Sequence, residues 1–189
     1  MNQSKFPFPD KESSMDILRN DPCYGKIPQD QIETVFEDAW STGQEEAHKF
    51  VAEHCLDSGF HMGRILEKLG FEIIRQDVDY VMGKIRYFCE YFPEKNQILV
   101  YTKGIRLWAE SNAMEPEVSE NIILAHEFFH YLEAKYLGWI SKRCLVPMVK
   151  LGSFTLGKTG IAALSEVAAN SFANEYYLAY TNYLALPEE

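Results

Sequence analysis

The chain has 189 residues, 47% of them hydrophobic and 24% charged, with a formal net charge of −10. This apolar content suffices for one buried core, but the length is short for two domains. An acidic chain repels phosphate backbones, so we expect no direct nucleic-acid partner. The four cysteines lie far apart without a C-x-x-C spacing, which favours reduced thiols over a zinc knuckle or a redox pair.

No segment of the sequence predicts secretion or a membrane span. The opening segment MNQSKFPFPDKESS is polar and interrupted by proline, unlike a signal peptide. No run approaches the ~18 uninterrupted apolar residues that a spanning helix needs. We therefore expect a cytoplasmic protein without a membrane partner.

The N-terminal region is rich in proline. It predicts an irregular arm over residues 1–27, followed by a single domain over residues 28–189. From Ile32 to Trp40, apolar residues recur at intervals of three and four, which is typical of an amphipathic helix. A second helical stretch is predicted after Gly43. It is broken near residues 58–59 and continues to a stop at glycine 70.

Short aromatic and β-branched runs then predict strands from Phe71 to Arg75, Lys84 to Phe92 and Gln97 to Tyr101. The turn sequence at residues 93–96 joins the last two runs into a hairpin.

The remaining chain predicts helices and one long connection. A short helix is expected from Ile105 to about Asn112, and a longer one begins at Pro116. Residues 139–160 are predicted to be a connection, and the last helix runs from Gly160 to Tyr180. This segregated order predicts an α+β fold, with helices around a small three-stranded, mainly antiparallel sheet.

The segment HEFFH has the spacing of a zinc site. On a helix, His126 and His130 lie one turn apart on one face, so both imidazoles can reach a single ion. Glu127 can take a proton from water on that metal. The neighbouring residues are apolar, and burying three polar groups without a partner would be costly. A metal ion supplies the partner.

A catalytic zinc usually has three protein ligands, so a third is needed. Glu133 shares the histidine face, but the rise of ~10.5 Å from His126 is too large for convergence on one ion. The longer H-E-x-x-H-x-x-G-x-x-H pattern is excluded because Glu133 stands in place of glycine and Tyr136 in place of histidine. Three further histidines are predicted to be ordinary surface or core residues: His48, His54 and His61.

A carboxylate from a second helix can complete the site. Glu166 lies in an alanine-rich segment, and small side chains let two helices approach closely. Zn–O bonds of ~2.0–2.2 Å require such an approach. Asn170, one turn later, is predicted to hydrogen-bond a ligating histidine. The alternative is that Glu166 is a solvated charge on a helix whose alanines serve helix propensity.

HEFFH together with the downstream segment SEVAANSFA resembles the ImmA/IrrE metallopeptidases. The resemblance spans roughly residues 45 to 180. It includes a helix that ends in ILEKLG and a hairpin that closes with QILVY. The family's order of a helix, a three-stranded sheet and an active-site helix is the expected arrangement.

The resemblance implies one Zn²⁺ held by His126, His130 and Glu166, with Glu127 as the catalytic acid/base. It implies gluzincin-like hydrolysis of a peptide bond in a protein substrate, and for some members the cleavage of helix-turn-helix repressors. Residues 28–70 contain no convincing helix-turn-helix pattern, so a repressor substrate would be a separate chain.

The first expectation is thus a cytoplasmic zinc metallopeptidase that holds an extended peptide by edge addition to its sheet. Three residues are candidates for stabilising the oxyanion: His61, Tyr176 and Tyr177. The alternative is a zinc-binding regulatory or interaction module of the same fold without proteolysis. Glu127 favours the enzyme, because a structural zinc site needs no base. A third interpretation, a metal-free helical interaction protein, predicts stability that is indifferent to chelator.

Overall fold

The computed structural model describes residues 8–55, 59–83, 85–151 and 154–185. The helices are α1 (Lys11–Arg19), α2 (Ile32–Phe50), α3 (Met62–Lys68), α4 (Thr102–Ser111), α5 (Pro116–Leu132) and α6 (Ala162–Leu184). The strands are β1 (Glu72–Gln76), β2 (Tyr80–Met82), β3 (Ile85–Tyr87), β4 (Cys89–Phe92), β5 (Gln97–Tyr101), β6 (Leu145–Leu151) and β7 (Phe154–Gly160). These elements form an α+β architecture, as the sequence predicts.

The main sheet is mixed rather than mainly antiparallel. Its order is β1-β5-β4, with β1 parallel and β4 antiparallel to β5. The β4–β5 hairpin was predicted. The run expected as one strand from Lys84 to Phe92 instead divides into β3, which pairs with β2, and β4. Lys84 itself lies outside the described residues. Because the β2–β3 hairpin and β4 intervene between β1 and β5, the chain can enter β5 in the same direction as β1.

The predicted irregular arm is wrong for residues 11–19, which form α1. The carboxylate of Asp10 caps this helix by accepting a 2.7 Å hydrogen bond from the Ser13 amide. Leu18 is fully buried, and the hydroxyl of Ser14 accepts a hydrogen bond from Asn170 of α6. Packing on α6 therefore stabilises a helix that a short, proline-flanked segment would not keep alone. Residues 1–7 lie outside the described part of the chain.

The sequence predicted separate helical stretches before and after Gly43, but α2 continues through this residue. Gly43 lies at a close contact between α2 and α6. A Cβ placed on Gly43 would lie 2.1 Å from the carbonyl oxygen of Ala168 in α6. The missing side chain therefore allows α2 and α6 to pack backbone to backbone. The hydroxyl of Ser171 adds a 2.6 Å hydrogen bond to the carbonyl oxygen of Trp40.

Residues 139–160 were predicted to be a connection, but most of them form an antiparallel hairpin of β6 and β7. The glycine, serine and threonine residues of this segment are typical of a loop, and the two strands form their ladder only by pairing with each other. At the hairpin base, the Ile161 amide donates to the carbonyl oxygen of Ser141 at 2.9 Å.

Helix α5 lies at the centre of the core. The fully buried side chains of Leu124 and Phe129 belong to it, and Phe129 packs on Phe172 of α6 with ring centroids 5.9 Å apart. None of the described helices combines the length and apolar character needed to cross a bilayer. The packing of α5 on α6 fixes the relative position of the two predicted ligand segments.

Candidate metal centre

Helices α5 and α6 bring the three predicted ligands together. The Nε2 atoms of His126 and His130 lie 3.2 Å apart. The two carboxylate oxygens of Glu166 lie 3.3 Å from Nε2 of His126 and 3.5 Å from Nε2 of His130. The candidate ligand atoms all lie within 4.8 Å of one another. This group could hold one metal ion.

The separations are short enough for a single ion. With metal–ligand bonds of ~2.1 Å, two ligand atoms in tetrahedral geometry lie ~3.4 Å apart. The two Nε2 atoms are 3.2 Å apart, and the distances of 3.3 and 3.5 Å join them to the two different oxygens of Glu166. Two imidazoles and one carboxylate are also a donor set found in zinc sites that keep a fourth position open. The residues present therefore fit the metal that the sequence predicts.

Glu166 is charged in this arrangement. Its side chain is 47% exposed, and partial burial alone would raise the pKa of its carboxyl group. The hydrogen bond with His126 and the charges of His126 and His130 outweigh burial and lower that pKa to about 2. An ionised carboxylate is the form that binds a cation.

Glu133, which the sequence analysis excluded as a ligand, lies beside Nδ1 of His130, the ring nitrogen that does not face His126. Its side chain is completely buried, and Oε1 accepts hydrogen bonds from the Ile140 amide at 2.6 Å and from the Ser165 hydroxyl at 2.5 Å. Oε2 has no hydrogen-bond partner, but it lies 3.6 Å from Nδ1 of His130. Burial opposes ionisation of Glu133, whereas His130, Ser165 and Ile140 together lower its pKa.

This contact favours the tautomer of His130 that carries its proton on Nδ1. A buried carboxylate attracts the proton of the imidazole to Nδ1, which leaves the lone pair of Nε2 directed toward Glu166 and His126. Asn170 was predicted for this supporting position, but its amide donates to Ser14 at 3.1 Å. One sequence signal pointed to Glu133, namely its position on the histidine face of the helix.

Glu127 lies beside the ligands at the inner wall of a cavity. Burial is the largest influence on its carboxyl group and raises the pKa above the ordinary value. The charges of His126 and His130 and a hydrogen bond with the Cys89 thiol act in the opposite direction. A carboxylate with a raised pKa is suited to accept a proton and release it again.

The cavity has a volume of about 270 Å³ and is bordered by His126, Glu127 and Glu166. Its apolar walls come partly from α5 itself, with Ile122 and Ile123, and partly from distant parts of the chain, with Pro9, Phe88 and Trp108. Arg86 of β3 also borders it, and its guanidinium donates to Asp79 at 2.6 and 3.1 Å. No spacing in the sequence connects Pro9, Arg86, Phe88 or Trp108 to HEFFH, because the fold alone brings them together.

The residues predicted to stabilise the oxyanion and the other histidines lie away from this cavity. Nδ1 of His61 lies 3.1 Å from the Glu117 carboxylate, and the buried Tyr176 hydroxyl donates to the carbonyl oxygen of Phe60. Tyr177 packs its ring on Phe8. None of the three oxyanion candidates borders the described cavity. Two histidines pair with carboxylates away from the cavity, as expected of surface residues: His48 and His54.

Comparisons with protein-family models, with curated proteins and with solved structures gave no match for this chain. The resemblance to the ImmA/IrrE metallopeptidases therefore stays a prediction that depends on the two motifs and their geometry.

Proposed function

We propose that the protein is a zinc-dependent metallopeptidase of the ImmA/IrrE type. The observation that carries the proposal is the convergence of His126, His130 and Glu166, whose candidate ligand atoms lie within 4.8 Å of one another, with Glu127 beside them at a cavity. A purely structural zinc site fills its fourth position with protein and needs no neighbouring base. This arrangement has three candidate ligands, a base and space for a substrate.

The chemistry follows from the positions of the side chains. Zinc, when bound, lowers the pKa of its water toward ~7 and polarises the substrate carbonyl. Glu127 accepts the proton of the attacking water and later donates it to the leaving amine. Glu133 holds the His130 ring by the 3.6 Å contact with Nδ1.

The proposed substrate is an extended segment of a protein, and a separate helix-turn-helix repressor is one candidate. Strand β4 is at an edge of the main sheet, and Cys89 at its start borders the cavity. A peptide that added to this edge would run past Glu127. This position supports binding of an extended backbone.

The test compares Glu127→Gln with Glu120→Gln, a control on the same helix outside the cavity. We expect both variants to bind zinc, measured by metal analysis after dialysis. Only Glu127→Gln should lose cleavage of a quenched fluorescent peptide library by at least a hundredfold. Equal cleavage by the two variants would remove Glu127 from the mechanism.

A Glu166→Gln variant tests the ligand set separately. We expect it to lose zinc during the same dialysis, and retention of one zinc per chain would overturn the assignment of Glu166. If the parent binds zinc and cleaves nothing in the library or in denatured casein, the regulatory zinc module becomes the better description.

A further inference from the structure

The charge of the chain is unevenly distributed. Residues 134–165, between the two carboxylates Glu133 and Glu166, contain five Lys and Arg and no Asp or Glu, although the whole chain has a net charge of −10. All 28 acidic residues therefore lie outside this segment. The segment comprises the chain that follows α5, the β6–β7 hairpin and the first residues of α6, and we call it the basic hairpin segment.

The basic hairpin segment exposes large apolar side chains. Four residues of the hairpin have exposed fractions between 43% and 60%: Leu145, Met148, Val149 and Leu156. Val149 is paired with Leu156 across the ladder, whereas Met148 points to the opposite face. Trp139, just before the hairpin, is 52% exposed. Several large apolar side chains exposed within one short segment are typical of an interaction surface.

Lysines surround these apolar side chains. The Lys26 ammonium donates to the carbonyl oxygen of Met148 at 2.9 Å. The Lys142 ammonium lies 5.9 Å from the centre of the Trp139 ring. Lys158 is exposed on β7. Apolar side chains bordered by lysines match a surface that is both apolar and negatively charged.

We propose that the basic hairpin segment binds the anionic surface of a lipid bilayer, with its apolar side chains entering the interface between headgroups and acyl chains. Lysines near such a surface are attracted to acidic headgroups, and tryptophan prefers the same depth. The sequence predicted no membrane partner because it contains no spanning run. An interfacial hairpin needs no such run.

The two faces of the hairpin favour a bilayer over other anionic partners. A protein partner that packed on one face would leave the other face, with Met148 or with Val149 and Leu156, in water. A bilayer interface surrounds both faces. Single-stranded nucleic acid is bound by stacking of successive bases on aromatic side chains. On this surface Trp139 can stack, but the four exposed side chains named in the hairpin are not aromatic. The proposal does not depend on the metal centre.

The test is sedimentation of the full chain with vesicles of phosphatidylcholine alone or with about one quarter phosphatidylglycerol. We expect binding only to the anionic vesicles, and a weaker partition as salt rises. Trp40 and Trp108 are 5% and 4% exposed, so a fluorescence change on binding reports Trp139. We expect a blue shift and quenching by brominated lipid.

Two variants and one control identify the surface. We expect Leu156→Glu to weaken partition at least tenfold, and Lys158→Ala to weaken it about fivefold. The control is Ile85→Glu, which changes a 59% exposed residue of the other hairpin and should bind like the parent. All three positions are exposed, so folding should be retained.

Three results would overturn the proposal. The first is equal partition of the parent into both vesicle types or into neither. The second is equal weakening by Ile85→Glu and Leu156→Glu. The third is sedimentation without any change in Trp139 fluorescence. Binding to single-stranded DNA or to an acidic protein, with no vesicle binding, would assign the surface to that partner instead.

Discussion

Replacement of Glu133 by glutamine removes one charge from a completely buried side chain beside the candidate metal centre. The new Oε1 can still accept from the Ile140 amide and the Ser165 hydroxyl, which are 2.6 and 2.5 Å away in the parent. The amide nitrogen takes the place of Oε2, which lies 3.6 Å from Nδ1 of His130. It presents a donor where the parent presents an acceptor.

The histidine must respond to this donor. Nδ1 of His130 becomes the acceptor, so the proton moves to Nε2, the atom that faces His126 and Glu166. A nitrogen that carries a proton cannot bind a metal. Changes in such supporting partners typically weaken metal affinity 10- to 100-fold, and we expect a loss in this range for Glu133→Gln. The mismatched pair should also lower the free energy of unfolding by about 1–3 kcal/mol.

The assay is a competition titration of zinc against a chelating dye, together with urea denaturation of metal-free protein. Glu117→Gln, which changes an exposed carboxylate on the first turn of α5, is the matched control and should bind zinc like the parent. Unchanged zinc affinity in Glu133→Gln would refute the role assigned to Glu133, even if the variant were less stable. If Glu117→Gln also lost zinc affinity and stability, the role assigned to Glu133 would be refuted as well.

Three further changes test the metal centre and the packing. At zinc concentrations near a thousand times Kd, the free energy of unfolding of the parent should rise by about 4 kcal/mol, as measured by thermal unfolding. We expect no such rise in His126→Ala. An equal rise in both proteins would exclude His126 as a ligand. Gly43→Ala should destabilise the protein by about 3 kcal/mol, because the Cβ would lie 2.1 Å from a carbonyl oxygen of α6. Gly25→Ala, whose Cβ meets nothing within 4 Å, is its control, and urea midpoints that shift equally would contradict this reasoning. Asp10→Ala should cost about 1 kcal/mol by removing the cap of α1, and an unchanged midpoint would show that packing alone holds that helix.

Local pattern predicted the two elements that carry the candidate ligands. The apolar run before HEFFH and Pro116 as a first-turn residue predicted α5, which the structure confirms from Pro116 to Leu132. The alanine-rich segment predicted α6, although the helix starts two residues later than Gly160 and continues to Leu184. Helical periodicity depends on neighbours within one or two turns, so the sequence contains enough information for such elements.

Non-local pairing was predicted less well. The sequence indicated the β4–β5 hairpin because its turn residues are local, but gave no sign that β1 lies parallel to β5. The β6–β7 hairpin was missed because its strands contain Gly, Ser and Thr and depend on each other for hydrogen bonds. Packing against α6 likewise stabilises α1, in a segment whose composition predicted an irregular arm.

The amino-acid sequence alone indicated which side chains could bind a metal, since a spacing of four residues places His126 and His130 on one face of any helix. It could not determine the distance from that face to Glu166, because this depends on how α5 packs on α6. Nor could it assign Glu133, whose carboxylate turns away from the ligand group toward Nδ1 of His130 and the Ile140 amide. The relative positions of residues on one helix follow from the rise and rotation per residue of that helix. The contacts between helices form only when the core packs.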